Sequence, residues 1–312
     1  MRREVRRVAV IGAGTIGASW TAWFLSRGLE VVASDPSPGA PALIRRMVEN
    51  AWPGLAQLGA TPGADPGNWR FEPDPVRAVQ GADFVQESAP ERLDVKQPLL
   101  AAIDAVLPAD VVIASSTSGL LASQLSATCA HPERVVIGHP FNPPHLIPLV
   151  EVVGGAKASP EAVAAAMDFY RTIGKHPIAL AKEVPGHLAN RLQAALWREA
   201  VHLVAEGVAT VADVDAAISE GPGLRWALMG PHLTFHLAGG EGGMQHFLNH
   251  LLPAMRGWWA DLGRPDVDAA LGAALVAGVA EEAGGRDVRA LAAARDAALL
   301  RILAARPPPE GS

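Results

Sequence analysis

Val5-Arg6-Arg7-Val8-Ala9-Val10-Ile11-Gly12-Ala13-Gly14-Thr15-Ile16-Gly17 decides how the rest of this chain is read. The apolar run to Ile11 predicts a buried strand, and Gly12, Gly14 and Gly17 complete a Gly-x-Gly-x-x-Gly turn. A helical pattern follows through Trp20, Phe24 and Leu25 to Gly28, a natural C-cap. Glu30 to Ser34 is a second apolar strand, and it ends at Asp35, eighteen residues past Gly17. Alone, the glycine pattern is weak; between a strand and a helix, each part has a mechanical job. Gly12 permits the tight turn, Gly14 lets backbone approach a pyrophosphate, and Gly17 lets helix and strand pack closely. Thr15 and Ile16 open the helix whose N-terminus receives the phosphate charge. Asp35 would accept hydrogen bonds from both ribose hydroxyls and repel a 2′-phosphate, which implies NAD rather than NADP. The bland alternative is a glycine-rich turn that holds no ligand.

Outward from that unit, strands are predicted at Trp69 to Glu72, Ala82 to Glu87, Val111 to Ala114 and Val135 to Gly138. A return run spans Leu146 to Val153, and a last strand lies near Lys175 to Leu180. Helices fall at 40–60, from Glu91 to Val106 and from Pro160 to Ile173. Alternating β and α segments with right-handed crossovers imply a Rossmann-type α/β domain, a doubly wound and mostly parallel sheet. Ligands in such sheets sit at the carboxyl ends of strands, where Asp35, Glu87, Ser118 and His139 fall.

From Pro185-Gly186 the β signals stop. Leu188, Leu192, Leu196, Leu203 and Val204 recur at helical spacing, and further helical stretches cover roughly 210–219, 230–237, 243–260, 266–282 and 286–305. The domains are therefore expected at 1–184 (Rossmann, with the candidate histidine) and 185–306 (all-helical). Residues 307–312 form a Pro-rich tail expected to be disordered.

Composition limits the partners. Net charge is −6, and the only basic run is Arg2, Arg3, Arg6 and Arg7, so nucleic acid is not expected. No apolar stretch reaches about 18 residues and no signal-peptide pattern precedes the fold, so no membrane is expected and a cytoplasmic protein is. Cys129 is the only cysteine, which rules out an internal disulfide and leaves no thiolate metal site in prospect.

Gly138-His139-Pro140-Phe141-Asn142-Pro143-Pro144 carries a histidine to a strand end and then turns sharply. If the return run pairs antiparallel, Glu151 comes back near the imidazole. A histidine backed by a buried carboxylate is suited to move a proton near neutral pH. The alternatives stay open from the residues alone: His139 as a turn residue, Glu151 as an edge-strand carboxylate facing solvent. Ser118 equally suits a helix N-cap before Leu120, and Asn190 an exposed first-turn position.

These marks together resemble the 3-hydroxyacyl-CoA dehydrogenase superfamily over nearly the whole chain. They are the glycine motif at 12–17, Ser-Ser-Thr-Ser at 115–118, Gly-His-Pro-Phe-Asn-Pro at 138–143, Pro-Leu-Val-Glu at 148–151 and Glu-Val-Pro-Gly-x-x-x-Asn-Arg at 183–191. The resemblance implies an NAD-dependent oxidation of a secondary alcohol, with a His139–Glu151 pair moving the proton and Ser118 and Asn190 around the substrate oxygen. Glu87, Glu91 and Lys96 match a segment that in the family lies along the nicotinamide side of the cofactor. His187 stands where the family usually has phenylalanine, and Ser116 where it often has asparagine, which leaves local pocket shape in doubt.

Fatty-acyl members need basic residues after the second strand for CoA phosphates, yet residues 40–70 hold only Arg45, Arg46 and Arg70. The segments 221–231 and 236–244, Leu196 to Ala200, Trp258-Trp259 and Arg295-Asp296 look like a branch acting on small free hydroxy acids. The resemblance thus implies a small 3-hydroxy acid bearing a quaternary ammonium; a sugar acid or a short hydroxyacyl thioester is the alternative. Aromatic faces would select such a cation. Phe141, Trp226 and Phe235 are candidates, with Trp197 and Phe247 beside them and Arg225 for the substrate carboxylate. Each aromatic is also an ordinary core candidate. A homodimer through the helical domain is expected, and a non-catalytic, crystallin-like NAD-binding protein is the competing reading.

Overall fold

A computed structural model describes residues 4–306; the tail at 307–312 and Arg2 and Arg3 lie outside the described residues. Two compact units emerge, one of Met1–Arg191 with Leu299–Ala304, the other beginning with Leu192–Ala298.

The first unit is built on an eight-stranded sheet of order β3-β2-β1-β4-β5-β6-β7-β8. Its strands are β1 (Arg7–Ile11), β2 (Glu30–Ser34), β3 (Trp69–Phe71), β4 (Phe84–Glu87), β5 (Val112–Ser115), β6 (Val135–Pro140), β7 (Leu149–Gly154) and β8 (His176–Ala179). Around it run α1 (Thr15–Ser26), α2 (Ala40–Gln57), α3 (Pro75–Ala78), α4 (Leu93–Asp104), α5 (Ala122–Leu125) and α6 (Pro160–Thr172). All neighbouring strands pair parallel except β6 and β7. The strand sequence explains the two-sided packing. Val8 and Val10 join Val31, Phe84 and Val136 in one buried cluster with α1, α2 and α6 residues. Ala9 and Ile11 point the other way, into a cluster with Val85, Leu100, Ile103, Ile113 and Leu125. The topological switch lies between β1 and β4, the position at which sheets of this kind bind their ligands.

The second unit holds most of α7 (Ala189–Ala205), then α8 (Val211–Ser219), α9 (Pro222–Trp226), α10 (Pro231–Ala238), α11 (Gly243–His250), α12 (Leu252–Asp261), α13 (Ala269–Ala283) and most of α14 (Val288–Ala305). The helix expected over 243–260 is interrupted at Leu251, just before Pro253, whose ring cannot continue a helix from the preceding turn. α9 was not expected; its Gly-Pro-Gly start hides a single short turn of helix. Little of this unit is buried: Val201, Val214, Thr234 and Phe247 are, while Leu192, Leu196, Trp197, Trp258, Trp259 and Val276 are exposed.

The first compact unit runs to Arg191, and the segment after Pro185 bonds back to it. Leu188 and Ala189 donate to Glu151, and Asn190 donates to the Ser118 carbonyl. It also recovers Leu299–Ala304, with Leu300 lying against Gly54. Among the described residues, no helix is long and apolar enough to cross a membrane.

Candidate active site

At the switch point the glycine loop takes the form its sequence requires. Gly12 has φ of 94°, and a Cβ there would lie 2.5 Å from the Ser88 carbonyl group. A Cβ on Gly17 would lie 1.8 Å from the Gly12 oxygen, so helix and strand touch at that point. Gly14 has open space before it, with nothing within 4 Å of a built Cβ. No side chain caps the N-terminus of α1 and no acid occupies its first turn. An open glycine, uncapped helical N–H groups and a first turn without acids form a cradle that fits a dinucleotide pyrophosphate. Asp35 stands beside it, Oδ2 accepting the Ala13 N–H and Oδ1 the Ser37 N–H, each at 2.8 Å. Its remaining lone pairs are available for ribose hydroxyls.

β6 and β7 pair so that His139 lies directly opposite Glu151 in the antiparallel ladder. The imidazole Nδ1 is 2.8 Å from Glu151 Oε2, and both side chains are buried. β7 is flanked by β6 and β8, so Glu151 sits inside the sheet and faces no solvent. Its other oxygen accepts N–H groups from Leu188 at 2.8 Å and Ala189 at 2.9 Å. Burial by itself raises the Glu151 carboxyl, but the His139 contact and the Ala189 and Leu188 N–H groups outweigh it and hold the group below its ordinary value. An ionised Glu151 accepts a proton-bearing Nδ1 and leaves Nε2 as the basic nitrogen. Phe141 meets the His139 ring edge-on, with centroids 5.3 Å apart.

The Ser118 loop follows β5 and is organised by Glu91. Glu91 Oε1 accepts Thr117 Oγ1–H at 2.6 Å, the Ser118 N–H at 2.8 Å and the Gly119 N–H at 2.9 Å. It is Thr117, not Ser118, whose hydroxyl accepts the Leu120 N–H, which leaves the exposed Ser118 side chain unspent. Asn190 donates one amide hydrogen to the Ser118 carbonyl at 3.1 Å, and its second hydrogen remains for another acceptor. Asn190 is half-buried here, not a freely exposed first-turn residue.

Lys96 is buried against the 87–91 segment. Its ammonium is 1% exposed and donates to Glu87 Oε1 at 2.7 Å and the Ala89 carbonyl at 2.9 Å. It supports the 87–91 segment from below rather than facing open space. Glu87 is equally buried and also accepts from Ser115. In the second unit, Arg225 and Trp226 of α9 are exposed, whereas Phe235 stacks on Phe247 at 4.7 Å as a packing aromatic.

His187 is the residue whose importance the sequence understates. It is fully buried, its ring lies 5.1 Å from that of His139, and its Nε2 is 3.0 Å from the Thr117 carbonyl. Its φ of 50° is left-handed, a conformation that histidine tolerates better than β-branched residues do. Gly186 beside it also has positive φ, and that glycine was the available signal of an unusual turn. Burial lowers the His187 pKa, and the His139 charge adds to the effect. Cys129 is no rival nucleophile, since burial pushes its thiol up to about 11.

Residues 7–184 match the family model described as 3-hydroxyacyl-CoA dehydrogenase, NAD binding domain, and residues 186–261 match 3-hydroxyacyl-CoA dehydrogenase, C-terminal domain. The chain is 55% identical over 302 residues to an L-carnitine dehydrogenase of Streptomyces coelicolor, covering 97% of this chain and 95% of that one. It is 50% identical to an L-carnitine dehydrogenase of Pseudomonas aeruginosa, covering 97% and 94%. Among solved structures it is similar to 5-formyl-3-hydroxy-2-methylpyridine 4-carboxylic acid 5-dehydrogenase, an NAD+-dependent dismutase, with TM-score 0.83, 35% identity and coverage of 97% and 100%. A (S)-3-hydroxybutyryl-CoA dehydrogenase from Ralstonia eutropha matches at TM-score 0.62 and 29% identity, over 69% of this chain and 77% of that one.

Proposed function

This chain belongs to the 3-hydroxyacyl-CoA dehydrogenase family, and from that premise we propose that it oxidises L-carnitine at its 3-hydroxyl with NAD as acceptor. The observation that carries the chemistry is the His139 Nδ1–Glu151 Oε2 pair at 2.8 Å, fixed across two strands. His139 Nε2 takes the hydroxyl proton, and Glu151 stabilises the imidazolium that forms. Ser118 and the second amide hydrogen of Asn190 steady the substrate oxygen as charge develops. Bound in the glycine cradle, NAD supplies the carbon centre that accepts the hydride. The Gly12–Gly17 loop and Asp35 would hold its pyrophosphate and ribose, and the buried Glu87–Lys96 pair would support the segment assigned to its nicotinamide side.

The substrate assignment rests on kinship with carnitine dehydrogenases that share 46–55% identity over 96–97% of this chain. The scarcity of basic residues at 40–70 supports it against a CoA thioester. Phe141, Trp226 and Arg225 are the residues assigned to the trimethylammonium and carboxylate. Phe235 is a weaker candidate because Phe247 already occupies one of its faces.

The helical residues from 185 to 306 are assigned to substrate binding and to a homodimer interface in the cytoplasm. Exposed Leu192, Leu196 and Trp197 along α7 support a partner-facing seam. A monomeric mass by light scattering at micromolar concentration would remove the dimer.

The deciding experiment is NAD reduction screened against L-carnitine, L-gulonate, 3-hydroxybutyrate and 3-hydroxybutyryl-CoA. Carnitine is expected to give the highest kcat/KM. Faster turnover of the CoA thioester would overturn the substrate while leaving the mechanism standing.

A further inference from the structure

We propose that Lys175 is a positioning residue for the catalytic pair, holding the connection between the strands of His139 and Glu151 against the helix that carries the glycine loop. That connection leaves β6 at Pro140 and enters β7 at Leu149. Its path therefore bears on both members of the dyad at once. Lys175, the residue just before β8, sends its ammonium into this connection. Nζ donates to the Ile147 carbonyl at 3.1 Å and also to the Pro144 carbonyl. The same nitrogen lies 3.6 Å from the ring centre of Trp23 and 5.4 Å from that of Trp20. Both indoles belong to α1. One buried cation thus joins two turn carbonyls to two aromatic faces of the cofactor helix.

A second tie runs parallel to the first. Ser19 of α1 accepts the His145 N–H at 3.0 Å, and its hydroxyl lies 2.8 Å from His145 Nδ1. Ser19 is fully buried and His145 nearly so. Two independent contacts therefore fix residues 144–147 to α1, on the core side of the sheet.

Stability alone does not call for an ammonium here. Lys175 is 6% exposed and makes no ion pair with any carboxylate among the described residues. Burial, with the Arg27 charge nearby, pushes it well below the ordinary lysine value. An apolar side chain of similar length avoids that desolvation penalty. What an apolar side chain lacks is the pair of directed bonds that set where the turn sits. Composition points the same way. Of 26 basic side chains in the chain, only Lys96, Lys157, Lys175 and Lys182 are lysines, and the two buried ones both lie against site segments. A compact ammonium with three rotatable donors suits converging carbonyls better than a planar guanidinium.

The inference rests on the dyad reading, so its test includes a measurement that does not depend on turnover. Lys175→Met is prepared as the full chain and compared with wild type and with His139→Gln. NAD affinity, kcat, KM and the ¹⁵N imidazole signals of His139 are recorded. In Lys175→Met, kcat is expected to fall about tenfold or more, with NAD affinity within twofold of wild type. The His139 signals are expected to move from a single Nδ1–H tautomer toward averaging. Trp23→Phe, which keeps a ring but weakens the cation's better aromatic partner, is expected to move kcat and the His139 signals the same way by a smaller factor. It decides the matter if the methionine variant does not fold. Folded variants with kcat within twofold of wild type, or with unchanged His139 signals, overturn the proposal. An active His139→Gln protein would instead defeat the base assignment, which the NMR arm distinguishes from failure of the positioning role.

Discussion

Oε1 of Glu91 accepts the backbone N–H of Ser118 at 2.8 Å. The same oxygen binds Thr117 Oγ1 and the Gly119 N–H, so one carboxylate shapes the loop that presents Ser118. Glu91 thus has a defined task in the protein itself, whatever it contributes to a cofactor. Charge-assisted hydrogen bonds of this kind contribute roughly 1.5–3 kcal/mol each. Glu91→Ala is therefore expected to lower kcat by about 10- to 100-fold, with Glu91→Gln milder because one acceptor oxygen survives. Steady-state kinetics with carnitine checks this, and an alanine variant within twofold of wild type rules out the loop's dependence on Glu91.

His139→Gln removes the proton acceptor while leaving a side chain able to fill the site. Turnover is expected to drop by about 10² or more with NAD affinity nearly unchanged. Glu151→Gln keeps the shape but cannot stabilise an imidazolium, so it too lowers kcat. The double variant should be little worse than either single one, because the two groups act as a unit. Additive losses in this cycle would show that they act separately.

How much of this was legible in the sequence differs from part to part. The strand–glycine–helix–strand–acid unit was readable because every piece is local: Gly12 makes the tight turn, Gly17 lets helix and strand touch, and Asp35 ends beside the glycine loop. The partnership of His139 with Glu151 needed only one antiparallel return, and strand pairing supplies it. The inward turn of the Lys96 ammonium to Glu87 is a contact the sequence does not reveal. Lys175 was passed over, and His187 was noted only as a departure from the family pattern, for a related reason. Their meaning lies in contacts with Thr117, Pro144, Ile147 and Trp23, which spacing along the chain cannot show. The weak core of the helical unit was hidden as well, since leucines at helical spacing look alike whether buried or exposed.

Acid should weaken the fold in two separable windows. His187 has a folded pKa below its ordinary value of 6.5, so the unfolded chain takes up that proton first. Its contribution is complete above pH 6.5 and declines as pH falls toward the lower folded value. Glu151 behaves likewise from its ordinary value of 4.5, with its contribution lost as pH falls through the folded pKa. His187→Phe should flatten the loss of Tm that begins near pH 6.5 while leaving the lower window intact. Thermal scans at stepped pH would contradict this if the variant and wild type kept parallel slopes.

Asp35 stands at the end of β2 with one oxygen already bound to Ala13 and the other to Ser37. A 2′-phosphate placed against that carboxylate meets like charge, whereas a ribose diol meets free lone pairs. Wild-type enzyme is expected to use NAD far more efficiently than NADP. Asp35→Ala should raise KM for NAD and narrow the ratio between the two cofactors. Equal efficiencies in the wild type would remove Asp35 from this role.

Carnitine's trimethylammonium offers no hydrogen-bond donor, so a site must recognise it by aromatic faces and field. Trp226 is the residue best suited among the candidates. It is 41% exposed on α9, next to Arg225, and among the described residues no ring contact engages it, unlike Phe235. A cation–π contact is worth about 2 kcal/mol when desolvated, or a roughly 30-fold change in binding. Trp226→Ala is accordingly expected to raise KM for carnitine by about 10- to 30-fold with a smaller effect on kcat. Uncharged 3-hydroxybutyrate lacks the cation, so its KM should hardly move in the same variant. Arg225→Ala should instead raise KM for both, since both carry the carboxylate. If Trp226→Ala raised the two KM values equally, the indole would be packing the site rather than reading the charge.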